Sequence, residues 1–410
     1  MAATKRVAAL NLGMQTATMA VFDAAPGNGL VLSGVARAGL QPDPAADSSR
    51  PGQLRIALGE LRSKLKWTGG TAVLALPSQG VFARFVKIPK VEPEKVGQML
   101  LFEAQQNVPF PIEEVSWGYQ VLPESEPDKL GALILATKLD GLEATVEAVQ
   151  SAGFAADFIE TSPVALYNAL RYNYPELTGC TLLIDIGARA TNLIFAEGDR
   201  LFFRTLPVGG SSITAAMQKK LEGRPFAEIE DFKTKQALIP PPGSHEETGD
   251  AAELGKVART VMTRVHNEIT RSITHYRTNQ QGSAPVRVFL AGGGASLPFS
   301  IEFFNEKLSL PVEFFNPLHR LSIAPSAATE EIGRYAHTLG ECVGLAASAL
   351  VGDCPLNLNL QSPRLETARR ERQRPPFLAA AVLLLAAALG AAFLHFQRAA
   401  NHLVEEGQKL

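Results

Sequence analysis

Two stretches of this chain share one local pattern. Residues 10–22 read LNLGMQTATMAVF and residues 184–195 read IDIGARATNLIF. Laid over each other, Asn11 meets Asp185, Gly13 meets Gly187 and Ala20 meets Ile194. In each, an apolar run ends in a short polar residue, then a Gly, a few small or polar residues and a second apolar run. That is the pattern of strand, tight turn, strand. A third strand candidate follows each hairpin, over residues 30–36 and 201–206. The first copy continues with a helix over about residues 52–65 and a buried-type strand over 71–77. The second continues with helices and an apolar strand over 286–291, closed by Gly292, Gly293 and Gly294. A βββαβα unit occurring twice predicts an α/β fold of two similar lobes facing each other across a cleft.

The C-terminal region has a different character. The run from Phe377 to Leu394 (FLAAAVLLLAAALGAAFL) carries no charge. At about 1.5 Å per helical residue it spans roughly 27 Å, and with His395 and Phe396 about the thickness of a bilayer core. Arg364, Arg369, Arg370, Arg372 and Arg374 stand before it, opposed by Glu366 and Glu371. The positive-inside rule keeps that side in the cytoplasm and sends the tail, residues 397–410, across the membrane. A buried core helix is the competing reading, although core helices seldom lack a polar face for so long. Elsewhere, 46% hydrophobic and 20% charged residues are ordinary globular usage. A net charge of -2 provides no basic field for nucleic acid. Cys180, Cys342 and Cys354 have neither CxxC nor metal spacing, which suits reduced thiols.

A cleft between two such hairpins suits phosphate. Each turn can aim backbone N–H groups at a nucleotide's phosphates, and Gly13 and Gly187 let the backbone approach without a Cβ. Asp185, at a strand end, suits a magnesium ion held mostly through water. The run Ala291-Gly292-Gly293-Gly294-Ala295-Ser296, opening a helix at Leu297, suits a base and ribose lying flat on backbone. A plain strand-to-helix turn also explains that run when it is taken alone.

The hairpins, the LAGGGASLPFS segment and the two-lobe repeat resemble the actin-like ATPase superfamily, with its ribonuclease H-like duplicated fold. Within it the chain is similar to the FtsA-like type IV pilus assembly proteins called PilM. Residues 103–115, EAQQNVPFPIEEV, are similar to that family's EAEQYIPFPLDEV segment. Residues 268–276 (EITRSITHY) resemble the helix before its adenosine loop, and residues 311–317 (PVEFFNP) the strand after it. The likeness covers about residues 5–350. It implies ATP and Mg2+ as ligands. Asn11, Gly13, Gln15, Thr16, Gly187, Arg189, Gly292, Gly293 and Gly294 are then the nucleotide contacts, and Asp185 the metal ligand. Asn11 stands where the family usually has Asp, and Thr18 where it has Lys. An amide accepts hydrogen bonds but adds no charge for magnesium, so the expectation is ATP binding with slow or absent hydrolysis.

The resemblance also implies a domain plan. The first lobe covers residues 1–78, and a 1C-type interaction subdomain is inserted over 79–158. The second lobe covers 159–350, with a helical part over about 221–280. A peptide and basic linker (351–376), one membrane span (377–396) and a short tail (397–410) follow. The peptide Leu356-Asn357-Leu358-Asn359-Leu360 resembles the INLLP motif at the N-terminus of PilN, the single-span partner that PilM grips; an ordinary strand or linker would also read this way. The implied role is an inner-membrane scaffold of a pilus or secretion platform, cytoplasmic apart from its span, with PilN- and PilO-like partners. A division-type FtsA-like filament protein and a sugar-kinase-like enzyme share the fold and stand as alternatives. From Leu350 to Pro355 the chain reaches about 14 Å at most. That short tether favours docking of residues 355–360 on a neighbouring molecule, head to tail, over docking in cis.

Overall fold

Both sequence repeats fold as antiparallel hairpins, and each hairpin starts a sheet. In this computed structural model, which describes residues 5–123, 126–221, 223–241, 249–352, 354–361, 384–398 and 401, the chain forms two units, Met1–Leu360 and Gln361–Leu410. In the first, β1 (Arg6–Leu12) pairs with β2 (Thr16–Ala25), and β2 with β3 (Gly29–Gly39). Helix α1 (Arg50–Lys64) returns the chain to β4 (Thr71–Leu76), which lies parallel to β1. The apolar run of β4 is buried from Ala72 to Leu76, as expected of a parallel strand covered on both faces.

The insert builds its own layer. Strands β5 (Val81–Pro89), β6 (Val115–Leu122) and β7 (Lys129–Lys138) form an antiparallel sheet in the order β5-β7-β6. Helices α2 (Pro93–Asn107) and α3 (Leu139–Ser151) accompany it, and Leu100 and Ala104 of α2 close a small core over Ile134 and Ala136. The chain then enters β8 (Ala155–Thr161), parallel to β4, and α4 (Ser162–Asn173). Residues 155–158 therefore belong to the first sheet, although the sequence plan put them in the insert.

The second hairpin, β9 (Cys180–Ile186) and β10 (Thr191–Glu197), extends to β11 (Arg200–Leu206). Helices α5 (Gly210–Gln218), α6 (Phe226–Gln236) and α7 (Asp250–Asn279) lead to β12 (Pro285–Ala291), α8 (Ser300–Leu308) and β13 (Val312–Phe314). Along α7, Leu254, Ala258, Val261, Val265, Ile269, Ser272 and Tyr276 recur at three- and four-residue spacing and are buried, so one stripe faces the core. The sheet order β11-β10-β9-β12-β13 repeats the order β3-β2-β1-β4-β8 of the first lobe. A short β14 (Ser322–Ile323) closes the first sheet beside β3, and α9 (Glu330–Tyr335) and α10 (Gly340–Leu350) complete the unit. The last helix packs on α4 and on β1 of the first lobe, so it does not sit wholly with the second, where the sequence plan had it.

In the second unit, residues 384–398 are helical, and Leu384, Leu385, Leu389, Phe393 and Phe396 are exposed. Among the described residues no helix is long and apolar enough to cross a membrane. The start of the expected span, residues 377–383, and the arginine-bearing residues 362–376 lie outside the described residues.

Glu160 on β8 is fully buried. It accepts a hydrogen bond from Ser348 Oγ of α10 at 3.0 Å, and among the described residues its second oxygen has no hydrogen-bond partner. Burial pushes its carboxyl up to about 8, against the opposing pull of Ser348. Because the unfolded carboxyl titrates near ~4.3, the folded state holds an extra proton between those values, and stability falls as pH rises through that window. The melting temperature is expected to drop between pH 6 and pH 9. Glu160→Gln, neutral throughout, should flatten that slope; an unchanged slope would show that the carboxyl is not responsible.

Candidate functional site

A cleft of about 460 Å³ opens between the lobes. Asn11, Gly13, Gln15, Thr16, Asp185, Gly187, Arg189 and Gly292–Gly294 all line it, so every nucleotide and metal residue named from the sequence faces one cavity.

The first turn is held from behind. The Arg50 guanidinium donates to the carbonyls of Leu12, Gly13 and Met14 at 2.8, 3.0 and 3.3 Å. With those oxygens engaged, an anion meets the turn's N–H groups instead. At Gly13 a Cβ would stand 2.7 Å from the Thr16 carbonyl oxygen, so the turn needs glycine there. The second turn closes through Gly187 N–H donating to Ala190 O at 2.9 Å. It rests on the start of α5, where Gly210 and Ser211 N–H groups donate to the carbonyls of Gly187 and Ala188.

Two expected contacts also join the lobes. Arg189 makes a bidentate ion pair with Asp47, at 2.5 and 2.8 Å. Gln15 Nε2 donates to Ser211 Oγ at 3.1 Å.

The floor is acidic. Asn192 Nδ2 donates to Asp185 at 2.8 Å, and Thr205 Oγ1 fixes the amide by donating to Asn192 Oδ1 at 3.0 Å. Glu341, at the start of α10, lines the same floor and takes a hydrogen bond from Asn11. Burial pushes Asp185 up to about 6. It pushes Glu341 up to about 8, with Asp185's charge adding to the effect. Among the described residues Asn11 Oδ1 is buried and has no hydrogen-bond partner. Two carboxylates and an amide oxygen make a hard-oxygen set of the kind magnesium takes.

On another wall, Lys233 of α6 sits between Glu230 at 2.7 Å, Gly210 O at 3.0 Å and Thr214 Oγ1 at 3.1 Å. Sequence reasoning missed Glu230, Lys233, Glu341 and Arg37. The Glu-x-x-Lys spacing was visible, but on a helix it ordinarily marks a solvated ion pair.

A second site concerns residues 355–360. They lie along their own molecule, between β6 of the insert and β8 and α4 of the first lobe. Asn168 clasps the backbone of Leu356 through both amide atoms, at 2.9 and 3.2 Å. Asn357 N–H donates to Gln120 Oε1, the Asn359 side chain accepts from Ile159 N–H, Leu360 N–H donates to Ile159 O, and Ser116 Oγ donates to Leu360 O. Leu356, Leu358 and Leu360 are 2%, 2% and 0% exposed. Gly118 makes room, since a Cβ there would stand 3.1 Å from the Leu358 side chain. Docking in cis replaces the expected docking on a neighbour. The tether argument fails because α4 packs on α10 itself, so the groove begins where α10 ends.

A model of the PilM family, type IV pilus assembly proteins, matches residues 27–349. The chain belongs to the PilM family. Among solved structures, a PilM–PilN type IV pilus biogenesis complex is similar at 21% identity and TM-score 0.71, over 84% of this chain and 98% of that one. The ethanolamine utilization protein EutJ from Carboxydothermus hydrogenoformans matches at 16% identity and TM-score 0.47, over 83% and 89%. MreB5 of Spiroplasma citri bound to ADP matches at 13% and 0.45, over 83% and 95%. This PilM-family chain is thus a type IV pilus assembly protein by family, and its two large sheets repeat one strand order.

Truncating the buried strap tests its energetic weight. Leu358→Ala and Leu360→Ala should each cost about 2–5 kcal/mol in denaturant unfolding of the whole chain. Values near zero would mean that the strap contributes no packing in solution.

Proposed function

We propose that this chain is a membrane-tethered scaffold of the pilus inner-membrane platform that binds ATP with magnesium in the interlobe cleft. The observation that carries the tethering is the cis strap. The segment that resembles the partner's peptide is anchored in the groove of its own body, a few residues before an arginine-rich stretch and an apolar run. The exposed apolar side chains of residues 384–398 favour burial in a bilayer, and the uncharged sequence back to Phe377 provides the length. PilN- and PilO-like single-span proteins are the proposed partners. With the strap in place, they meet this chain on surfaces other than that groove.

The cleft chemistry supports the ligand. The two turns present N–H groups to phosphates, the triple glycine offers flat backbone to the nucleoside, and the Glu230–Lys233 pair suits ribose hydroxyls. Asp185, Glu341 and Asn11 Oδ1 would hold the magnesium ion, which neutralises phosphate charge.

Three experiments divide the parts of this reading. A Cβ at Gly293 meets nothing within 4 Å, yet the residue lines the cleft. Gly293→Val should therefore leave folding intact and abolish labelled-ATP binding; parent-like binding would move the nucleotide elsewhere. Flotation with lipid vesicles should be lost when residues 362–410 are removed, and retained flotation would refute the tether. Under mild oxidation, Leu358→Cys paired with Gly118→Cys should form a disulfide within one molecule. Links between differently tagged protomers would restore the head-to-tail arrangement.

A further inference from the structure

Among the described residues the charged groups that line the cleft are paired, with one exception. Arg189 is committed to Asp47, and Lys233 to Glu230. Asp185 is held by Asn192, and Glu341 by Asn11. Arg37, on β3, also lines the cleft, and among the described residues it forms no ion pair. Its guanidinium carbon stands 4.9 Å from the centroid of the Tyr335 ring, so one face is stacked. Stacking leaves the in-plane N–H donors for acceptors, and Nε is buried without a hydrogen-bond partner. Burial works against this charge, yet a guanidinium does not lose its proton in a protein. A half-buried cation with an unused donor calls for an anion.

The register shows where that anion would lie. Asn11 is directly opposite Thr18, and Thr18 directly opposite Arg37. The three residues form one row across β1, β2 and β3, and all three line the cleft. At about 4.8 Å between strands, the Arg37 backbone is roughly 10 Å from that of Asn11, and the two side chains leave the same face of the sheet. The nearby His337 adds no competing charge. Burial, then the charge of Arg37, pushes it down to about 4, and its Nε2 is engaged with Ser296 Oγ at 2.8 Å.

We infer that Arg37 is the residue that pairs with the phosphate oxygens of the bound nucleotide, a cation supplied by the third strand instead of by either hairpin turn. The inference rests on the nucleotide reading of the cleft and adds to it a discriminating residue. Arg37 selects phosphorylated nucleotides over the bare nucleoside. Tyr335 acts as its positioning residue by holding the guanidinium plane.

Titration of the purified full-length chain with ATP, ADP and adenosine tests this. Arg37→Met, which keeps the side chain's length, should weaken ATP and ADP by tenfold or more and leave adenosine unchanged. Arg37→Lys should recover part of the loss, and raising salt should weaken ATP binding to the parent more than to Arg37→Met. Melting curves establish that each variant folds; if Arg37→Met does not, Arg37→Lys against Arg37→Gln makes the same comparison. Parent-like ATP affinity in a folded, uncharged variant overturns the inference and leaves the nucleotide reading standing. An equal loss for ATP and adenosine also overturns it, by showing a structural role. A parent that binds none of the three ligands overturns the nucleotide reading, and this inference with it.

Discussion

At Gly344, helix α10 approaches α4 so closely that a Cβ would stand 1.7 Å from the Ala165 carbonyl oxygen. A neighbouring contact, Gly340 against Leu166 and Phe315, continues the same close fit. This crossing seats α10 on the first sheet, and both ends of the helix then acquire roles. Its N-terminal end brings Glu341 to the cleft floor opposite Asp185. Its C-terminal end releases the chain beside Asn168, at the mouth of the strap groove. A larger residue at position 344 would push the helix away and disturb both ends together.

Both places use amide side chains to settle polar groups that burial would otherwise leave unpaired. Asn168 replaces a neighbouring strand for Leu356 by accepting from its N–H and donating to its carbonyl. Asn192 bridges Thr205 and Asp185, which keeps the buried carboxylate oriented. Buried groups left without partners cost about 1–3 kcal/mol each, so those that persist are informative. Among the described residues Asn11 Oδ1, Arg37 Nε and Arg189 Nε lie in residues that line the cleft, one an acceptor and two donors. A ligand carrying both a cation and an anion satisfies such a set, and a metal–nucleotide complex is that kind of ligand.

Much of the fold was legible because its constraints are local. A tight turn between two apolar strands needs a glycine where Gly13 and Gly187 stand, and the recurrence of that turn revealed the duplication. The residues named around both turns and the triple glycine line one cavity for the same reason. Glu341 and Arg37 were not legible. Glu341 reaches the cleft only because α10 crosses α4, and Arg37 only because β3 pairs with β2 in the register that sets it opposite Thr18. The Glu230–Lys233 pair was visible as a spacing but not as a buried one, since burial depends on what α5 places above it.

The sequence by itself determined the repeat, the strand-turn chemistry of the two hairpins, the alternation of Leu356, Leu358 and Leu360, and the apolar run near the C-terminus. Each follows from spacing along the chain. Tertiary structure alone decided which groove that alternating segment fills and whose molecule owns it. The length of a tether bounds how far a peptide reaches but not where the groove begins, and here α4 brings the groove to the end of α10. Tertiary structure also decided which of the cleft's cations are committed and which has no ion pair among the described residues, because charge pairing depends on distances across the cleft that spacing along the chain does not contain.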